Sequence, residues 1–298
     1  MDHIKKAIER LKEAEADRPA RQLHEPVTPS FEAQVNGSGR GAKQAPGSEI
    51  VLNDFDLETR RVIAQDVSDA RSRSFDMLRT QVLQTMDVNS WQLLGMTSPT
   101  AGCGKTMVSV NLALSIARQP HRSVLLVDLD LQKPQVARTF GIDCEHGVVS
   151  VLEGRSQLSE ALVACRVGPD TLLTLPCETS TLRSSAWMAS QAMNALLHQI
   201  NQEFKGYTVI FDLPPVLTAD DVISILPQID CVTLVAAAGI TTLADIKECN
   251  KHFQSTSIVR VVFNKAEDIP TNYYLRYAAE QPSKMVAMRS ASPTSVSG

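Results

Sequence analysis

Short apolar runs alternate along the middle of the chain with segments of helical period. The runs at 92–97, 123–129, 171–176, 208–212, 231–237 and 258–264 are rich in Val, Ile and Leu and read as strands. Between them, apolar residues recur at helical spacing near 69–86, 105–118, 182–204, 219–226 and 242–253. Strands alternating with helices at this interval predict an α/β domain built on a mostly parallel, doubly wound sheet. Continuous rather than alternating apolar runs fit that architecture, because helices cover both faces of such a sheet. Ligands of doubly wound sheets sit at the carboxyl ends of the strands, so the residues leaving those ends carry the functional interest.

The two ends of the chain read differently. Residues 1–17 place Ile4, Ala7, Ile8 and Leu11 at helical spacing, with Lys and Glu on the other faces, which predicts a short amphipathic helix. Over 18–48 the chain is rich in Pro, Gly, Ser and Gln without any period. Such a segment buries too little apolar surface to offset ordering entropy, and a flexible linker is expected there. One domain is expected over 49–279, followed by a Ser/Thr-rich disordered tail over 280–298.

Composition adds exclusions. The 298 residues are 43% apolar, enough for one sizeable core with extensions. A formal net charge of -4 implies no general affinity for nucleic acid. Cys103, Cys144, Cys165, Cys177, Cys231 and Cys249 form no C-x-x-C pair and have no His at zinc spacing, so they read as reduced thiols of a cytoplasmic protein. The N-terminal stretch lacks the apolar core of a signal peptide. The longest apolar stretch, around 231–240, falls far short of the roughly 18 residues that span a bilayer. A soluble protein is expected, and a membrane role would need a partner.

The candidate chemistry lies at three strand ends. The run Leu93-Leu94-Gly95-Met96-Thr97 passes into Ser98-Pro99-Thr100-Ala101-Gly102-Cys103-Gly104-Lys105-Thr106, and a helical pattern begins there. Strand, small-residue loop and helix make a phosphate-binding loop: small residues let backbone N–H groups turn onto phosphate oxygens, and the helix dipole adds positive potential. Ala101, Gly102, Cys103, Gly104, Lys105, Thr106 and Met107 are thus the candidate ATP-binding residues, with Lys105 reaching the outer phosphates and the Thr106 hydroxyl ligating Mg²⁺. The second strand ends in Asp128 and Asp130, two residues apart and hence on one face of an extended segment. The third ends in Asp212, followed by Pro214-Pro215. Acids leaving apolar strands beside such a loop suit Mg²⁺ and general-base work.

These segments together, with the weaker Val262-Phe263-Asn264-Lys265, resemble the bacterial tyrosine kinases of exopolysaccharide and capsule synthesis, over residues 74–277. That family is a branch of the deviant P-loop ATPases, which also include chromosome-partitioning and division-site-selection ATPases. The partitioning branch has a signature lysine where this chain has Thr100, so the resemblance favours the kinases. It implies that Lys105, Asp128 and Asp130 are catalytic, with Asp128 activating a tyrosine hydroxyl, and that Thr106, Asp128 and Asp212 hold the metal. It further implies that Tyr273, Tyr274 and Tyr277 accept phosphate from a neighbouring copy in a homo-oligomer. The partner it implies is a membrane-embedded protein that controls polysaccharide chain length, activates the kinase and recruits it to the inner face of the plasma membrane.

The chain departs from the family pattern at Pro99, at Cys103, at Gln132-Lys133 where the motif has Arg one residue earlier, and at Arg73, Asp76 and Arg79, where the family's oligomerisation helix carries Glu, Arg and Arg. Two other functions stay open on sequence: an ATPase switch of the partitioning type, and a nucleotide-binding scaffold without catalysis.

Overall fold

The structure, a computed structural model, describes residues 47–66, 69, 71–218, 221–253 and 256–266. The expected N-terminal helix, nearly all of the expected linker, the tail, and Tyr273, Tyr274 and Tyr277 lie outside these residues. Among the described residues the strands are β1 Ser48–Val51, β2 Leu93–Thr97, β3 Ser123–Asp128, β4 Val163–Val167, β5 Asp170–Leu175, β6 Tyr207–Asp212, β7 Cys231–Ala237 and β8 Ser257–Asn264. They form one sheet in the order β1-β4-β5-β3-β6-β2-β7-β8. Every neighbouring pair runs parallel except the β4–β5 hairpin. The α/β, mostly parallel, doubly wound sheet expected from the sequence is the observed fold.

The helices are α1 Asp54–Thr59, α2 Ser72–Asn89, α3 Lys105–Ala117, α4 Val136–Phe140, α5 Val148–Leu152, α6 Leu158–Ala161, α7 Ser184–Met188, α8 Gln191–Glu203, α9 Asp221–Ile225 and α10 Leu243–His252. Along β3, Val124 and Leu126 join a core with α2 and α3, while Leu125 and Val127 join a core with α8. That alternation follows from the two-residue period of a strand, and it explains why these strands are apolar throughout. Helix α3 is buried nearly all round because it lies between the sheet and α2.

Four local readings differ from the sequence pattern. Strand β1 is four residues long and mostly exposed, so it has almost no apolar signature. Strand β4 reverses into β5 through Gly168 at φ 54, a turn signal that the pattern reading passed over. The helix expected over 182–204 is two, because Ser190 takes extended geometry and its hydroxyl accepts the Met193 N–H at 3.1 Å, capping a new helix. Helix α2 runs on to Asn89 and stops at Ser90, which takes the left-handed conformation at φ 56.

Candidate nucleotide site

The loop between β2 and α3 is shaped by two glycines, Gly102 at φ 82 and Gly104 at φ 87, in the left-handed region that side chains with a Cβ resist. Gly104 is also the N-cap of α3, where a Cβ would overlap the Asn264 side-chain amide. That amide donates to the Cys103 carbonyl at 2.9 Å, so the end of β8 clamps the loop. Pro99 fits because its carbonyl, rather than its absent N–H, is used: it accepts from Leu217 at 3.1 Å, and the Ser98 carbonyl accepts from Val216 at 2.9 Å. The Cys103 side chain is 1% exposed, with its sulfur 3.5 Å from Thr241 Oγ1.

A cleft of about 570 Å³ opens along this loop, lined by residues 101–107, Asp130, Gln132, Lys133, Gln135, Thr139, Pro214, Pro215 and Thr218. Lys105, 8% exposed, places Nζ 2.9 Å from Asp130 and 3.3 Å from Asp212. Asp212 also accepts from Thr106 Oγ1 at 2.5 Å and from Ser109 Oγ at 2.9 Å. Ser109 was not picked out on sequence. Its signal was there, since it stands one helical turn after the lysine and shares that face.

Asp128 lies directly across the β3–β6 ladder from Asp212. It is fully buried, and both of its oxygens are occupied by backbone donors: Asp130 N–H at 3.2 Å, Gln135 N–H at 3.0 Å and Val136 N–H at 2.9 Å. Its carboxylate thus ties down the turn from β3 into α4. Asp130 behaves differently, with one oxygen on the Lys133 N–H at 3.1 Å and the other on Lys105 at the cleft wall. Of the three predicted acids, the structure puts Asp130 and Asp212 on the lysine and Asp128 behind them.

Three carboxylates share one ammonium here, and the ionisation follows. Burial alone would lower the lysine, but Asp212, Asp130 and Asp128 outweigh it and hold Lys105 protonated above its ordinary range. One positive charge cannot balance three buried negative ones. Burial first, then the charge of Asp212, pushes Asp128 up to about 8. Burial likewise raises Asp212, against the opposing pull of Lys105.

Among the described residues no three His, Cys, Asp or Glu side chains converge as a metal cage. A hydroxyl against a carboxylate, Thr106 on Asp212, fits a cation that takes few protein ligands and completes its shell with water and phosphate oxygens.

Arg73, Asp76 and Arg79 do not form one outward-facing row. Arg79 donates to Asp76 at 2.9 Å and to the Ser115 carbonyl and hydroxyl at 2.9 and 3.0 Å, and Ser115 donates to Asp76 at 2.7 Å. Two of the three charges are therefore spent on docking α2 to α3, and Arg73 alone faces outward.

A strand, a glycine-shaped loop, a lysine at the helix start and acids at the neighbouring strand ends define a P-loop nucleotide-binding domain. Residues 94–285 match the CobQ/CobB/MinD/ParA nucleotide binding domain family, and the chain belongs to it. Within it the chain belongs to the bacterial tyrosine-protein kinases. It is 31% identical over 187 residues to the tyrosine-protein kinase YwqD of Bacillus subtilis, covering 61% of this chain and 75% of that protein. It is 30% identical over 259 residues to EpsB of Ralstonia solanacearum, covering 85% of this chain but only 32% of EpsB. The chain thus spans about a third of the length of that relative. In fold it is similar to the kinase domain of the Escherichia coli tyrosine kinase ETK, with a TM-score of 0.62 and 22% identity over 78% of this chain and 98% of that one.

Proposed function

We propose that this chain is an ATP-dependent protein-tyrosine kinase that transfers the γ-phosphoryl group of Mg-ATP to Tyr273, Tyr274 or Tyr277 of a neighbouring copy. The observation that carries this reading is Lys105 held between Asp130 and Asp212 at the wall of the cleft, in a chain of this family.

ATP phosphates lie along the backbone of residues 101–107, and Lys105 turns from the acids onto the outer phosphates. Its departure frees Asp130, which already lines the cleft. Asp130 then accepts the tyrosine proton, the role that the resemblance gave to Asp128. Asp128, with both oxygens on backbone N–H groups, holds the turn that carries Asp130. The phenolic oxygen forms the new bond to Pγ, the bond from Pγ to the β–γ bridging oxygen breaks, and ADP leaves with that electron pair. Thr106 and Asp212 are the residues that would hold Mg²⁺, and its charge would offset that of the phosphoryl group. The rest is positioning, because a loose phosphoryl-transfer transition state asks little covalent chemistry of the protein.

By the same reading the kinase works as a homo-oligomer in exopolysaccharide or capsule synthesis. A membrane-embedded chain-length protein activates it and recruits it to the cytoplasmic face of the plasma membrane, with no nucleic acid involved. No helix among the described residues is long and apolar enough to cross a membrane, which accords with a separate anchor. The test is to incubate the full chain with Mg-ATP and map phosphotyrosine by mass spectrometry beside Lys105→Met. Lys105-dependent phosphate on the three tyrosines supports the reading, and its absence even with the membrane activator overturns it.

A further inference from the structure

A second cavity, of about 520 Å³, adjoins the nucleotide cleft. Arg60, Gln135, Arg138, Thr139 and Gly141 line it, and Gln135 and Thr139 also line the cleft, so the two share a wall. Asp130 and Lys133, which precede Gln135 in the turn out of β3, line the cleft as well.

Two arginines, Arg60 and Arg138, are among the residues that line the cavity. Among the described residues neither Arg60 nor Arg138 is in an ion pair, and no acidic side chain lines the cavity.

Arg60 is nevertheless held in place. Its Nη1 donates to the Arg138 carbonyl at 2.8 Å, and its guanidinium lies so close over Gly141 that a Cβ there would overlap it. The chain just beyond Arg60 is fixed by the buried Asn111, whose side chain accepts from Ile63 and Ala64 at 2.8 and 2.9 Å and donates to the Arg61 carbonyl at 3.2 Å. A guanidinium fixed in the open without a carboxylate is a ready anion receptor, and paired arginines suit a phosphate dianion best.

We propose that the Arg60–Arg138 cavity binds a phosphotyrosine of the acceptor segment while a second tyrosine of that segment occupies the nucleotide cleft. The proposal rests on the kinase reading above. The spacing allows it: Tyr273, Tyr274 and Tyr277 are at most four residues apart, about 13 Å in an extended chain, and the two cavities share a wall. The first phosphate then helps to seat the segment for the next transfer, so phosphorylation of the cluster is self-promoting until the segment is fully modified.

The test uses the full chain with its nucleotide site saturated by a non-hydrolysable ATP analogue. Fluorescence anisotropy measures binding of a peptide copying residues 266–280, either unphosphorylated or phosphorylated at Tyr273. The phosphopeptide is expected to bind about tenfold more tightly, as for one added charge-assisted contact. Arg60→Gln with Arg138→Gln is expected to abolish the difference while leaving affinity for the ATP analogue unchanged. Equal binding of the two peptides overturns the proposal, as does a preference that survives the double substitution. Phosphate transfer to tyrosine without any phosphopeptide preference would sink this subsite and leave the kinase reading standing. Phosphopeptide preference without any transfer would do the reverse.

Discussion

Lys105 Nζ sits 2.9 Å from the Asp130 carboxylate, closing a buried pair across the mouth of the phosphate loop. The lysine and the acid satisfy each other's charge. Under the proposed function, phosphates that draw the lysine away release the acid, so nucleotide binding and exposure of a proton acceptor become one event.

The two aspartates of β3 are therefore expected to fail differently. Asp130→Asn leaves Lys105 paired with Asp212, so it should lower the melting temperature less than Asp128→Asn does while removing most phosphoryl transfer, by about 10²-fold or more, as loss of a general base does. Asp128→Asn turns an amide N–H₂ toward at least one backbone donor and should cost about 1–3 kcal/mol of stability. Thermal unfolding and single-turnover transfer on both variants check this. A stable, inactive Asp128→Asn would return the base to Asp128.

Gly104→Ala should lower both nucleotide affinity and stability, the latter by about 1–3 kcal/mol, since it combines a left-handed backbone with overlap of the Asn264 amide. Adding Asn264→Ala removes the overlap and leaves the backbone strain. Part of the loss should then return, and a double-mutant cycle by calorimetry measures how much. Full additivity of the two substitutions would disprove the clamp.

Stability of the nucleotide-free protein should depend on pH through the buried acids. Asp128 is pushed up to about 8 by burial and then by Asp212, whereas an unfolded aspartate ionises near ~4. Between those values the folded chain holds a proton that the unfolded chain releases. This contribution is complete below about pH 4 and is lost as pH rises toward about 8. Melting temperatures across that window should fall for the wild type and fall less for Asp212→Asn, which removes one of the repelling charges. Parallel profiles for the two proteins would contradict the coupling.

Removing the α2 charges should destabilise the fold rather than alter assembly. Asp76→Ala breaks contacts to Arg79 and Ser115 and leaves a partly buried guanidinium without its acid, at a cost of about 1–3 kcal/mol. Arg73→Ala, on the exposed side, should be nearly neutral in stability. Unfolding measurements paired with light scattering separate the effects, and an unchanged melting temperature for Asp76→Ala would argue against this packing role.

Much of the site was legible because it sits where sequence patterns are strongest. Apolar strands ending in Asp128 and Asp212, and a glycine-bearing loop before Lys105, are local signals that place themselves once the sheet is recognised as parallel. What the sequence hid depends on distant partners. The inward turn of Asp76 and Arg79 depends on Ser115, 39 residues from Asp76. The different surroundings of Asp128 and Asp130 depend on which of them the turn into α4 encloses. Asn264 lay in the weakest of the matched motifs, and only its bond to Cys103, 161 residues away, shows its use. Strand β1 has almost no apolar signature because it is exposed, and β4 is only five residues long and carries the exposed Arg166, so its apolar run is short.

The fate of the γ-phosphate decides the central claim. The full chain is incubated with radiolabelled Mg-ATP and the label is divided between protein-bound phosphotyrosine and free phosphate over the first turnovers. The account predicts that label accumulates on tyrosine, that it maps to residues 273–277, and that Lys105→Met abolishes it. Release of all label as inorganic phosphate, with none on tyrosine, would identify a hydrolytic switch and contradict the kinase assignment.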